Sequence, residues 1–273
     1  MRVLTLNIFA HHRSWEDRRR VLAAGLAELA PDIAVFQEAI VLDRYDQVAE
    51  ILGAGYQIFH QRGRSDDGGG APIASRFPIE VVREADLQFD TALYRSGWIG
   101  SLAVVRIAAP EPMGSVLLVH HKPTWQSRVE RERELQAVRS ARIVEEILGG
   151  EERHVVLAGD FDATPDAASI RFWTGRQSID GTSVYYQDAW EAVHGNAPGH
   201  TFTPDNAIRS DRWRPRPGRR IDYVMVRCGD HGATLDVTDC QLAFDRPVDG
   251  VWASDHFGVV ADLEPTRSTQ DPP

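Results

Sequence analysis

Several apolar stretches of this chain are bordered by a residue able to bind a metal or hold a proton. Asn7 closes V-L-T-L-N, Glu38 ends V-F-Q-E, and His120 and His121 end V-L-L-V-H-H. Asp160 and Asp162 follow V-V-L-A in G-D-F-D, Asp222 opens D-Y-V-M-V, and Asp255 and His256 stand in W-A-S-D-H-F-G-V-V. A polar group beside a stretch that must be buried costs free energy unless it is paired, hydrogen-bonded or bound to a metal. Each alone has an ordinary reading: Asp160 capping its own turn, Glu38 leaving a strand into solvent, Asn7 forming a turn, a strand-end histidine serving structure. A set of carboxylates, histidines and one amide, all at the ends of apolar strands, is hard to obtain as solvated surface. It points to one site assembled from distant parts of the chain.

Alternating β-formers predict a strand over 3–9, and Leu22, Gly25, Leu26 and Leu29 at helical spacing predict a helix over 16–30 that Pro31 stops. A short apolar strand over 32–37, a helix over 45–52 stopped by Gly53 and a β segment over 56–60 follow. The glycine-rich G-R-S-D-D-G-G-G at 63–70 lacks the G-K-[ST] ending and a following helix, so it reads as a surface loop rather than a phosphate cradle. Strands over 99–107 and 115–121 precede the longest helix, 128–148, which carries Ala137, Val138, Ala141, Val144 and Leu148 on one face. The charged residues of that helix read as its solvated face. A strand over 154–158 comes next, and later β segments over 222–227, 234–242 and 258–262 lie in an otherwise loop-rich stretch. Without strict strand–helix alternation, the pattern fits an α/β (α+β) fold with a two-sheet core and helices outside. No composition break divides it, so residues 1–264 read as one domain, and P-T-R-S-T-Q-D-P-P at 265–273 as a flexible tail.

The chain's 273 residues carry 30 Lys+Arg against 40 Asp+Glu, a net charge of −10. A content of 42% hydrophobic and 26% charged residues excludes a disordered or fibrous chain, and the acidic balance argues against coating nucleic acid non-specifically. Cys228 and Cys240 are too few for a disulfide scaffold or a cysteine zinc site. They flank an apparent hairpin, so a cross-strand disulfide is the alternative to two free thiols, the simpler reading. No segment reaches the ~18 apolar residues of a membrane span and the N-terminus shows no cleavage site, which reads as a soluble, cytoplasmic, monomeric protein.

Taken in order, L-T-L-N-I at 4–8, F-Q-E at 36–38, A-S-R-F-P-I at 74–79, H-H-K at 120–122, G-D-F-D-A-T-P-D at 159–166, R-I-D-Y-V at 220–224 and S-D-H-F-G-V at 254–259 carry a family resemblance. The chain resembles the endonuclease/exonuclease/phosphatase superfamily, which includes the pancreatic deoxyribonuclease, abasic-site endonucleases, bacterial sphingomyelinases and inositol polyphosphate phosphatases. One such motif is weak; the whole series in order, spread nearly end to end, is specific. The resemblance implies a deoxyribonuclease-like four-layer α/β/β/α sandwich. It implies Glu38 as the principal ligand of a divalent metal, Asn7 beside it and Asp255 as a further metal contact; oxygen ligands without cysteine suit Mg²⁺ or Mn²⁺, and also admit Ca²⁺. Asp160 matches the residue that orients or deprotonates the attacking water. His256 matches the essential histidine, held by Asp222, whose carboxylate raises the imidazole's affinity for a proton. His121 matches the histidine that hydrogen-bonds a phosphoryl oxygen, and a slip of one residue would hand that role to His120, since strand neighbours face opposite ways. Where the family has G-D-F-N this chain has G-D-F-D. An amide can donate to phosphate and an ionised carboxylate cannot, so Asp162 must be protonated, turned to a metal, or paired with a cation such as Lys122 or a neighbouring histidine.

The implied reaction is hydrolysis of a P–O bond by direct in-line attack of water, a divalent ion acting as Lewis acid and no covalent intermediate forming. Arg209, Arg212, Arg214, Arg216, Arg219 and Arg220, interleaved with Trp213, could track a nucleic-acid backbone or form a soluble connector. The same arginines, or Lys122 and Arg76, could instead grip one small anionic substrate. No unmistakable aromatic hairpin for a membrane surface stands out. The acidic charge favours a small-molecule or lipid-headgroup phosphoester; an endo- or exonuclease acting on DNA or RNA, and a non-catalytic binding member of the fold, are the alternatives.

Overall fold

The computed structural model describes residues 1–12, 14–89, 100–151, 153–210 and 217–266. Two mixed sheets face each other. In the first, the strands run in the order Leu235–Ala243, Gly258–Pro265, Arg2–Asn7, Ile33–Gln37, Ile73–Ser75, Gln57–Phe59. Arg2–Asn7 pairs in parallel with Ile33–Gln37 and antiparallel with Gly258–Pro265, so the first and last strands of the fold are neighbours. In the second sheet the order is Tyr186–Asp188, Asp222–Gly229, His154–Asp160, Ser115–Lys122, Ser101–Ala108, Ile79–Asp86.

Side-chain alternation explains the layers. Val3, Ile33 and Val35 of the first sheet meet Val116, Leu118, Val156, Ala158, Val224 and Val226 of the second in one buried cluster between the sheets. Their strand neighbours point the other way: Leu4, Leu6, Ala34 and Phe36 pack with Leu22 and Leu26 of the helix Trp15–Leu29. Leu117, Val119, Val155 and Leu157 pack with Ala137, Ala141 and Val144 of the helix Glu130–Leu148. Strands buried on both faces read as continuous apolar runs, and the helices bury the apolar stripe their spacing predicts. The result is the expected α/β/β/α sandwich.

Several sequence expectations are corrected. The apparent hairpin is not one: Asp222–Gly229 and Leu235–Ala243 belong to different sheets, joined through Gly232–Ala233, which pairs with Cys228 and Gly229. Cys228 and Cys240 are buried free thiols. The region 45–52 splits into a two-residue strand and the helix Gln47–Leu52, because the Asp46 side chain accepts from the backbone N–H groups of Val48 and Ala49 and caps the helix there. The late stretch contains short helices at Ala168–Trp173, Ala189–His194 and Ala207–Ser210. On the long helix Glu132 and Arg133 are buried rather than solvated; the Arg133 guanidinium donates to Glu130 and to the carbonyls of Thr124 and Gln126. The last strand runs to Pro265, and residues 267–273 of the expected tail lie outside the described residues.

Candidate active site

The same alternation places the chemistry. Asn7, Gln37, His120, Lys122, Asp160 and Asp222 share strand parity with the residues packed between the sheets, and all but His120, two residues inside its strand, lie at strand ends. Glu38 follows inward-facing Gln37, so an extended backbone would turn it away. Its left-handed conformation, φ 54°, breaks the alternation, and its Oε1 lies 3.1 Å from Asn7 Nδ2.

Asn7 bridges two carboxylates. Its Nδ2 donates to Glu38 Oε1 and to Asp160 Oδ2, each at 3.1 Å, while its Oδ1 accepts from the Phe9 N–H at 3.0 Å. One lone pair of that oxygen is thus engaged, and the other is what Asn7 has to offer a metal. Asp160 uses Oδ1 to accept from the Asp162 N–H at 3.1 Å, the ordinary turn role, and Oδ2 to accept from Asn7 and from Lys122 Nζ at 2.9 Å. Lys122 also donates to Asp162, so the aspartate that stands for the family's asparagine is paired with this cation. Burial would raise the Asp160 carboxyl, but Lys122 and His256 outweigh it and hold it down at about 2. Burial and the charge of Asp160 push Asp162 up to about 6 in spite of Lys122.

His256 Nδ1 lies 3.0 Å from Asp222 Oδ2, and the ring packs on Phe202 with centroids 4.8 Å apart. Burial opposes a charge on this imidazole, yet Asp222, Asp160 and Asp255 overcome it and raise it to about 10. A protonated histidine therefore faces the carboxylates and can donate a proton or stabilise an anion. Asp255, buried beside His256, Glu38 and Arg18, is pushed up to about 6 by that burial.

The supports of the site were not visible as motifs. Arg18, buried in the first turn of the helix Trp15–Leu29, donates to the carbonyls of Ile8, Phe9, Ala10, His12 and Ala253, tying the loop after Asn7 to the loop that carries Asp255 and His256. Ser254 Oγ donates to the Asn7 carbonyl at 2.6 Å, and Asn206 Nδ2 to the Ser254 carbonyl at 2.8 Å. Thr201 Oγ1 accepts from the Ile221 and Asp222 N–H groups. The one signal available was an arginine inside the apolar-spaced helix.

Three expected substrate contacts are placed elsewhere. His121 faces the helix layer, its Nδ1 3.1 Å from Ser140 Oγ and its ring against Phe161 and Trp173. His120 faces inward but is held by Gln37 at 2.8 Å and Gln61 at 3.3 Å. Burial lowers both imidazoles to about 3, so they are neutral. Arg76 follows a strand antiparallel to Ile33–Gln37, beside Asp32 at the opposite end of the sheet, and stacks on Tyr56. Of the arginine cluster, Arg209 and Arg220 are buried. Arg220 pairs with Asp188, and Arg209 and Arg219 lie over the Phe202 ring; Arg212, Arg214, Arg216 and Trp213 lie outside the described residues.

The donor set suits a hard divalent cation: Asn7 joins Glu38 and Asp160, Asp162 shares Lys122 with Asp160, and Asp255 lies near Glu38. Ligand atoms of Asp160, Asp222 and His256 also lie within 4.8 Å of one another.

A helix-flanked double sheet with carboxylates and a carboxylate–histidine pair at one end of its inner faces defines a hydrolase of the deoxyribonuclease-like sandwich class. The chain belongs to the Endonuclease/Exonuclease/phosphatase family, whose model matches residues 4–256. It is thereby a metal-dependent hydrolase acting on phosphoester bonds. Its fold is similar to TDP2 of D. rerio complexed with single strand DNA product, with TM-score 0.69, 19% identity and 97% and 98% of the two chains covered. It is similar to an endonuclease/exonuclease/phosphatase of Bacteroides vulgatus, with TM-score 0.71, 21% identity and coverage of 97% and 98%. The human Nocturnin catalytic domain follows with TM-score 0.66, 18% identity and coverage of 97% and 94%. No curated protein matches the chain.

Proposed function

We propose that the protein hydrolyses a small-molecule or lipid-headgroup phosphodiester or phosphomonoester by direct in-line attack of water. Glu38, with Asn7 and Asp255, would hold Mg²⁺ or Mn²⁺, which when bound supplies Lewis-acid stabilisation of the phosphoryl oxygens. Asp160, kept ionised at the junction of Asn7 and Lys122, orients or deprotonates the water. His256, protonated and held by Asp222, stands ready to neutralise the phosphate or protonate the leaving oxygen. Lys122 compensates charge from inside the site.

The observation that carries this reading is the junction at Asp160. One carboxylate there meets an amide that also touches Glu38 and a lysine that also touches Asp162, and a protonated histidine lies beside it. The preference for a small substrate rests on the acidic net charge of −10 and on the inward use of Arg209 and Arg220, which takes them out of any surface track. A nucleic-acid substrate is the second reading, favoured by the likeness to TDP2 crystallised with a single strand DNA product. The test is a panel of bis(p-nitrophenyl) phosphate, p-nitrophenyl phosphate, plasmid DNA and sphingomyelin, each with chelator and with Mg²⁺ or Mn²⁺. Metal-restored turnover of a small ester or of sphingomyelin with intact plasmid supports the proposal. Efficient plasmid cleavage favours the second reading, and inactivity on all four with either metal overturns the catalytic one.

A further inference from the structure

The interior of the site already holds a cation where two carboxylates converge. The Lys122 ammonium donates to Asp160 Oδ2 at 2.9 Å and also to Asp162, with its side chain 7% exposed. It arrives there because its strand brings every second residue to the inner face, and because the left-handed backbone of Asp162, φ 52°, turns that carboxylate toward it. A divalent ion bridging Asp160 and Asp162 would need the same oxygen lone pairs and the same space. We propose that Lys122 is a built-in substitute for a second metal, so that the site accepts one divalent ion, at its Glu38 side. The inference rests on the metal-dependent reading above and specifies its stoichiometry.

A second ion at this point would have to displace a buried ammonium that already neutralises both carboxylates. The aspartate at 162 also gains a reason. A neutral amide there would leave the buried ammonium with one carboxylate, whereas Asp162 gives it a second. Lys122 and Asp162 are then one exchange made at two positions.

The test is titration of the metal-free full chain with Mn²⁺, counting bound ions by calorimetry and by loss of the free-ion electron paramagnetic resonance signal. Wild type is expected to bind one ion per chain, Lys122→Met two, and Lys122→Met/Asp162→Asn one again. If Lys122→Met folds only with metal present, a melting temperature that climbs with Mn²⁺ more steeply than that of wild type reads the same second site. Two ions in wild type, or one in a folded Lys122→Met, overturn the role of the lysine and leave the metal-dependent reading standing. No bound ion in wild type overturns both, and Glu38→Gln that binds its ion undiminished overturns the assignment of the single ion to the Glu38 side.

Discussion

Asp160 and Asp222 stand directly opposite one another in the antiparallel register of the second sheet, with both side chains on its inner face. Like charges so placed repel; His256 compensates one and Lys122 the other. Asp222→Asn removes the strongest attraction on the His256 proton, and the imidazole should fall from about 10 toward its ordinary value. Turnover is expected to drop by about 10²–10⁴-fold and the alkaline limb of the pH–rate profile to move to lower pH. Histidine NMR titration of wild type and variant checks the cause. Because the folded value is raised, the stability His256 contributes is complete below about 6.5 and is lost as pH rises through the folded value.

Arg18 satisfies carbonyls from two loops, Ile8, Phe9 and Ala10 in one and Ala253 in the other. Arg18→Met leaves several buried acceptors without donors, each costing about 1–3 kcal/mol. A loss of at least ~3 kcal/mol in urea unfolding is expected, with turnover falling as the Asn7 and His256 loops part. A variant of wild-type stability and activity would show that the loops hold without it.

Gly159, the glycine before Asp160, has φ 156°, and a Cβ there would lie 2.1 Å from the backbone oxygen of His121. Gly159→Ala forces the two parallel strands apart at the residue that sets Asp160. A melting temperature lower by roughly 5–15 °C is expected. Gly63→Ala, where a Cβ meets nothing within 4 Å, serves as the near-neutral comparison in the same calorimeter.

His120 and His121 are held neutral by burial, with folded values of about 3. For a histidine lowered on folding, stability is complete above the unfolded value and falls as pH drops toward the folded one. Between pH 6.5 and about 4 each should cost about 1.4 kcal/mol per pH unit. Urea unfolding at pH 7, 6 and 5 measures the slope. His121→Phe should differ from wild type in that slope by about 1.4 kcal/mol per pH unit, the contribution of one such histidine, whatever it does to stability at pH 7.

Much of the fold was legible because burial on both faces writes itself into composition. V-L-T-L-N, D-I-A-V-F-Q and V-V-L-A-G-D could only be interior strands, and the Leu22–Leu26 and Ala137–Val144 spacings could only be helix stripes against them. The two β runs between Asp222 and Ala243 look like a hairpin in sequence but join different sheets, because turn chemistry between two β runs says nothing of which sheet each run joins.

At the site, residue types and strand-end positions alone determined that carboxylates, histidines and an amide meet and that oxygen-donor chemistry follows. Only the tertiary structure decided which of them face one another. Parity sends His121 to the helix layer and Lys122 inward; a left-handed φ returns Glu38 to the interior; antiparallel pairing carries Arg76 to the far end of its sheet. Arg18 becomes a tie between two loops only when a loop 235 residues away in sequence comes to rest against it. A one-residue change of face, or a contact between distant strands, is free in sequence and decisive in space, since hydrogen-bond energy depends on direction and distance rather than on order along the chain.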